Sequence, residues 1–250
     1  MTTPKRIKLR HIVPSLVTVF AICAGLTSVR MSLEGNLQAS LYFILLAVFL
    51  DAADGKLARF LNTASPFGAE LDSLADFFNF GIALGFLIYN TLYTGTVNAS
   101  LGWLAVLVLA VCCALRLARF NLSVHRPDVT LKQDGFFVGV PAPALACLAL
   151  MPILFYLAGW REDDFPMLRA AYIIGVGLLA VSTIPTFSIK HASIQREHLP
   201  FVIMAAVVLV MCFVVYPWPT LIVVDMLYLC SMPLSYLAFR RLNQRGDKTG

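Results

Sequence analysis

Apolar residues along this chain come in long unbroken runs, separated by short polar punctuation. Each run is about 20 residues, the length an α-helix needs to cross the hydrocarbon of a bilayer. Eight such runs are read: 12–31, 36–60, 67–90, 99–120, 137–159, 169–187, 199–216 and 219–239. The expected fold is an all-α integral membrane protein of about eight transmembrane helices. No soluble domain and no internal repeat stands out. The longest polar stretch, Asn121 to Gly135, reads as a loop. Tyr216-Pro217-Trp218-Pro219 reads as a tight turn at the membrane interface, where aromatic rings settle. The expected organisation is a basic N-terminal interfacial segment over 1–11, one transmembrane domain over 12–240 and a tail over 241–250.

Composition sharpens this picture. Of 250 residues 59% are apolar and 13% charged, which excludes an ordinary soluble domain. The net charge of +5 is unevenly distributed. Lys5, Arg6, Lys8 and Arg10 precede the first run, and Arg240, Arg241, Arg245 and Lys248 follow the last. Arg116 and Arg119 lie at the end of the fourth, Arg126 and Lys132 between the fourth and fifth, and Lys190 and Arg196 between the sixth and seventh. Arg30, Arg161 and Arg169 fall on the opposite side. The positive-inside rule then puts both termini on the cytoplasmic side of the inner membrane. The basic charge needs no nucleic acid to explain it, since an anionic leaflet attracts it. Six cysteines, all within apolar runs and none in Cys-x-x-Cys spacing, read as small apolar fillers.

Four acids break the pattern. Asp51 and Asp54 close the second run, and Asp72 and Asp76 lie within the third. On helices, residues three or four apart share a face, so each pair presents two carboxylates together. The turn from Asn62 to Pro66 folds the two helices antiparallel and brings the pairs towards one membrane edge. Carboxylates packed this closely in an apolar chain repel one another and are costly to desolvate. A hard divalent cation with oxygen ligands relieves both. Gly55 and Gly68 leave room for a ligand near the helix backbones, and Arg59 adds positive charge for an anion. Deeper on the third helix, Asn79 continues the face of Asp72 and Asp76. Arg116 and Arg119 end the fourth run on the same side, with Asn121 just beyond, and guanidinium groups pair well with carboxylate or phosphate. Asp225 is a lone intramembrane acid near the outer side, for which a structural role is expected.

Asp51, Asp54, Gly55, Ala58, Arg59, Gly68, Asp72 and Asp76 together resemble the signature of the CDP-alcohol phosphatidyltransferases. The resemblance implies a six-helix core plus two further helices. It also implies an enzyme with two divalent cations, Mg2+ or Mn2+, held by Asp51, Asp54, Asp72 and Asp76. Asp76 would be the general base, and Gly55, Ala58, Arg59 and Gly68 would line the CDP-lipid pocket. The runs Asn79-Phe80-Gly81, Leu115 to Asn121 and Gly139 to Pro143 resemble the branch that uses CDP-diacylglycerol and L-serine to make phosphatidylserine. One departure, Leu84-Gly85 where that branch is expected to carry a proline, bears on local helix geometry. Serine is a zwitterion, and Asn79, Arg116, Arg119 and Asn121 are its candidate contacts. The family also implies a homodimer. Two other readings stand beside this one: the same chemistry with another acceptor (glycerol 3-phosphate, an inositol phosphate or choline), and an ion or solute transporter using the aspartates.

Overall fold

The computed structural model describes residues 12–61, 63, 65–125, 136–159, 165–182, 185–187 and 199–246. The basic segment over 1–11 and much of the loop from Asn121 to Gly135 lie outside them. Among the described residues the chain is helical almost throughout, in eight rods. These are α1 (Val13–Leu33), α2 (Leu37–Phe60), a third rod of α3 (Pro66–Asp76), a π-helical stretch (Phe77–Ala83) and α4 (Leu84–Leu92), then α5 (Ala99–His125), α6 (Ala142–Leu157), α7 (Pro166–Val181), α8 (Leu199–Val215) and α9 (Pro217–Gly246). The first four rods are long and apolar enough to cross a membrane, whereas α6, α7 and α8 are apolar but shorter. α9 continues to Gly246, through most of what the sequence suggested as a tail.

Local chemistry sets the rod ends. Asn36 caps α2 by accepting from the Ala39 amide at 3.1 Å. Ser65 caps α3 by accepting from the Gly68 amide at 3.0 Å, with Pro66 opening the helix. One departure from an all-helical expectation occurs where the sequence suggested span ends. Phe136–Val138 (β1) and Pro185–Phe187 (β2) pair antiparallel, Phe136 opposite Phe187 and Val138 opposite Pro185. The reason lies in the residues around them. Gly139 has φ 81°, a left-handed turn that ends β1. Pro141 and Pro185 lack the amide a helix interior needs. The pair ties the α5–α6 connection to the α7–α8 connection at one end of the bundle.

The core lies among α2, the third rod, α5, α6 and α7. Leu41, Ile44, Phe80, Leu84, Leu87, Leu109, Leu145, Leu148 and Ile153 are fully buried in it. Because lipid tails are as apolar as leucine, close packing and hydrogen bonds hold such rods together. Ser28 of α1 and Ser40 of α2 donate to each other's carbonyls, at 2.8 and 2.7 Å. All six cysteines are free. α8 packs on α9 and otherwise faces outward. Asp225 of α9 is buried, with Oδ2 making no hydrogen bond.

Pro152 sits inside α6. It has no amide to give to the carbonyl four residues back, that of Leu148. The hydroxyl of Tyr172, on α7, donates to that carbonyl at 2.9 Å. A buried carbonyl freed by proline is thus satisfied from the next helix. Tyr172→Phe should therefore lower stability in detergent by about 1–2 kcal/mol. In a Pro152→Ala background, where the helix amide returns, the same change should cost clearly less. Thermal unfolding of the four chains checks this.

Candidate metal and substrate site

The two halves of the acidic motif meet at the end of the bundle where α2 gives way to α3. Asp51 is on α2, while Asp72 and Asp76 are on the last turns of α3. Carboxylate oxygens of these three residues all lie within 4.8 Å of one another. The carboxyls of Asp51 and Asp76 lie close enough to interact directly. Asp76 Oδ1 is buried and has no hydrogen-bond partner. Among the described residues the one ion pair joins Arg30 to Glu34, so no described Lys or Arg is in ion-pair contact with the cluster. Clustered acids with an orphaned oxygen and no paired cation fit a hard divalent ion. Asp51, Asp72 and Asp76 would hold it directly. Asp54, buried beside them, is turned towards α1, where Thr18 Oγ1 donates to its Oδ2 at 2.6 Å.

The residues expected around the phosphates divide into two kinds. Gly55 is exposed, and nothing lies within 4 Å of where a Cβ would stand, so the α2 backbone is open to a ligand. Ala58 lies one turn on, half-buried. Arg59 is exposed at the end of α2, its Nε donating to the Gly55 carbonyl at 2.9 Å. Gly68 differs. A Cβ there would stand 3.1 Å from Ser65 Oγ and 3.8 Å from Ser15 Oγ. Its missing side chain makes room for the cap of α3 and for α1, not for an open groove.

The two arginines of α5 part company. Arg116 is anchored by Nε, which donates to the Val140 carbonyl at 2.6 Å, and its Nη1 is buried without a partner. It lies within electrostatic reach of Asp76 and Asp51. Arg119 reaches instead to the end of α7. Its two terminal nitrogens donate to Val181 O at 2.6 Å and Ser182 O at 3.1 Å. It thereby supplies a positive cap to carbonyls left over at a helix C-terminus. Asn121 Oδ1 accepts from Ser73 Oγ at 3.1 Å, which ties α5 to α3 beside Asp72.

Asn79 is 1% exposed, yet neither Nδ2 nor Oδ1 has a hydrogen-bond partner. It lies in the π-helical stretch, where the Leu84 amide bonds the Asn79 carbonyl across a wider turn. Single π turns inside α-helices cluster at functional sites. The side chain presses on Gly25 of α1, where an added Cβ would overlap Oδ1 outright. α1 was not suggested as part of the site. Thr18 and Gly25 are seven apart on one helical face, a weak signal that two small residues in an apolar run easily hide.

A family model for the CDP-alcohol phosphatidyltransferases matches residues 11–184. The chain belongs to the CDP-alcohol phosphatidyltransferase family. It is 35% identical over 228 residues to a CDP-diacylglycerol–serine O-phosphatidyltransferase of Mycobacterium leprae (strain TN), covering 90% of this chain and 74% of that protein. Proteins of the same name from Bacillus subtilis (strain 168) and Methanocaldococcus jannaschii are 34% and 31% identical. The matches cover 74% and 69% of this chain, and 96% and 85% of those proteins.

A buried amide with no partner weakens the fold unless something else requires it. Asn79→Leu, which keeps the side chain's shape, should accordingly leave the melting temperature in detergent unchanged or raised. Gly25→Ala should lower stability by about 1–3 kcal/mol through overpacking. Most of that loss should return in the Gly25→Ala, Asn79→Ala double variant. A loss of stability in Asn79→Leu would mean the amide is bonded.

Proposed function

We propose that this membrane enzyme transfers the phosphatidyl group of CDP-diacylglycerol to the hydroxyl of L-serine, giving phosphatidylserine and CMP. The observation that carries the reading is the convergence of Asp51, Asp72 and Asp76 beside Arg116, with no ion pair to the acids among the described residues. Two divalent cations, Mg2+ or Mn2+, bound by Asp51, Asp54, Asp72 and Asp76 would supply neutralisation of the diphosphate and of the departing CMP. The open backbone at Gly55, with Ala58 alongside, admits the CDP moiety, and Arg59 offers its guanidinium to the phosphates at the mouth. Gly68 contributes by letting α3 begin close to α1.

Serine enters from the Asp76 side. Arg116 receives its carboxylate through the terminal nitrogen that has no other partner, held in place by the Val140 carbonyl. Asn79 lies one turn deeper and offers an amide to the acceptor, while Asn121 steadies the rim through Ser73. Asp76 takes the proton of the serine hydroxyl as its oxygen bonds to the phosphorus bearing the lipid. The bond from that phosphorus to the CMP oxygen breaks, and CMP leaves as the anion. A carboxylate is a weak base, so its contribution here comes from position. Arg119, occupied at the end of α7, acts through the frame rather than on the substrate.

The reading extends to the cell. Both termini and the site face the cytoplasm across the inner membrane, as the lysine and arginine distribution favours. A single transmembrane domain over 12–240 carries the activity, and the family resemblance favours a homodimer.

The deciding experiment is CMP release from CDP-diacylglycerol with a panel of acceptors, run with Mg2+, with Mn2+ and with a chelator. Serine with either metal should release CMP, and the chelator should abolish it. Greater release with glycerol 3-phosphate, an inositol phosphate or choline would overturn the serine assignment. Arg116→Gln should raise the KM for serine at least about tenfold, consistent with loss of a charged hydrogen bond, while the KM for CDP-diacylglycerol stays nearly constant. Arg119→Gln should lower thermal stability without that selective effect. Equal KM changes for both substrates in Arg116→Gln would contradict its role.

A further inference from the structure

Asp54 differs from the other acids of the motif. It sits outside the group of three whose oxygens converge, and its Oδ2 is engaged by a residue 36 positions earlier in the chain. That residue, Thr18, is 4% exposed, as is Asp54 itself. The 2.6 Å contact is short, as expected when a hydroxyl donates to a carboxylate. Thr18 Oγ1 also lies 3.1 Å from the Pro14 carbonyl of its own helix. A hydroxyl has one proton, so the longer contact competes for it. A threonine bonding back along its helix is common by itself. The packing of α1 on α2 thus offers an ordinary explanation for Thr18, and a test has to separate the two.

We infer that Thr18 is a positioning residue for the divalent-cation site, holding one oxygen of Asp54 so that the other is presented towards Asp51, Asp72 and Asp76. The inference rests on the metal-site reading above. Groups that hydrogen-bond a ligating carboxylate fix its orientation, and their loss typically weakens metal binding by roughly 10- to 100-fold. The Gly55 amide also lies against the Asp54 carboxylate, so Thr18 would fix its rotamer together with that backbone group. It also explains why α1, which supplies none of the acids, contributes a buried hydroxyl at this level.

The test is Mn2+ binding to the detergent-solubilised chain, followed by the EPR signal of free Mn2+. Folding is checked by the tryptophan-fluorescence melt. Thr18→Val keeps the shape and removes the proton, and it should weaken Mn2+ binding about tenfold or more. Thr18→Ser should bind within about threefold of the wild type, because the hydroxyl is restored. In an Asp54→Asn background, Thr18→Val should cause little further loss, since the two act as a unit. Mn2+ binding by Thr18→Val equal to wild type, or an equal loss with and without Asp54, would overturn the inference. Should Thr18→Val not give a folded chain, Thr18→Ala takes its place with the same two outcomes. If the wild type binds no more Mn2+ than Asp72→Asn, the metal-site reading falls, and this inference falls with it.

Discussion

Mutual repulsion among carboxylates in an apolar bundle is the constraint on which the rest depends. Asp51, Asp72 and Asp76 bring their oxygens within 4.8 Å of one another, and no basic side chain closes on them among the described residues. Such an arrangement costs free energy unless something of opposite charge occupies it. The helices around it accept that cost and hold the acids in place. Ser65 caps α3, Thr18 engages Asp54, and Ser73 with Asn121 binds α3 to α5. A second cost lies nearby, in the buried and unpartnered polar atoms of Asn79 and Arg116. Unsatisfied groups beside the acids are what a site for charged substrates requires, and the apolar core supplies the stability to carry them.

Much of this was legible in the sequence because lipid imposes simple rules. A spanning segment must satisfy its own backbone, so long apolar runs favour helices, and the eight runs correspond to the eight rods among the described residues. The acids were legible for the opposite reason, being improbable where they stand. The β1–β2 pair was harder to see. It occupies six residues at the margins of apolar runs, and its cause is local: Gly139 in a left-handed turn and prolines at 141 and 185. The π-helical stretch from Phe77 ends at the Leu84-Gly85 pair and carries no other mark in composition.

The arginines show most clearly where pattern stops. Arg116 and Arg119 are three apart and looked equivalent on one helical face. Their partners are backbone carbonyls, Val140 for one and the end of α7 for the other. Carbonyls belong to every residue and leave no trace in composition, so only the packed structure tells the two apart. Thr18 and Gly25 were missed for a related reason. Their importance comes from Asp54 and Asn79, which meet them only once α1 lies against the second and third rods.

The central claim, that the four aspartates hold paired divalent ions around a diphosphate, is most directly tested by anomalous diffraction from crystals of the enzyme grown with Mn2+ and CDP-diacylglycerol. Two Mn2+ peaks roughly 3.5–4 Å apart should lie between α2 and α3, ligated by Asp51, Asp54, Asp72 and Asp76 and bridging the phosphates. A bound CDP-lipid with no anomalous peak among these carboxylates, or with ions bound elsewhere, would contradict the account.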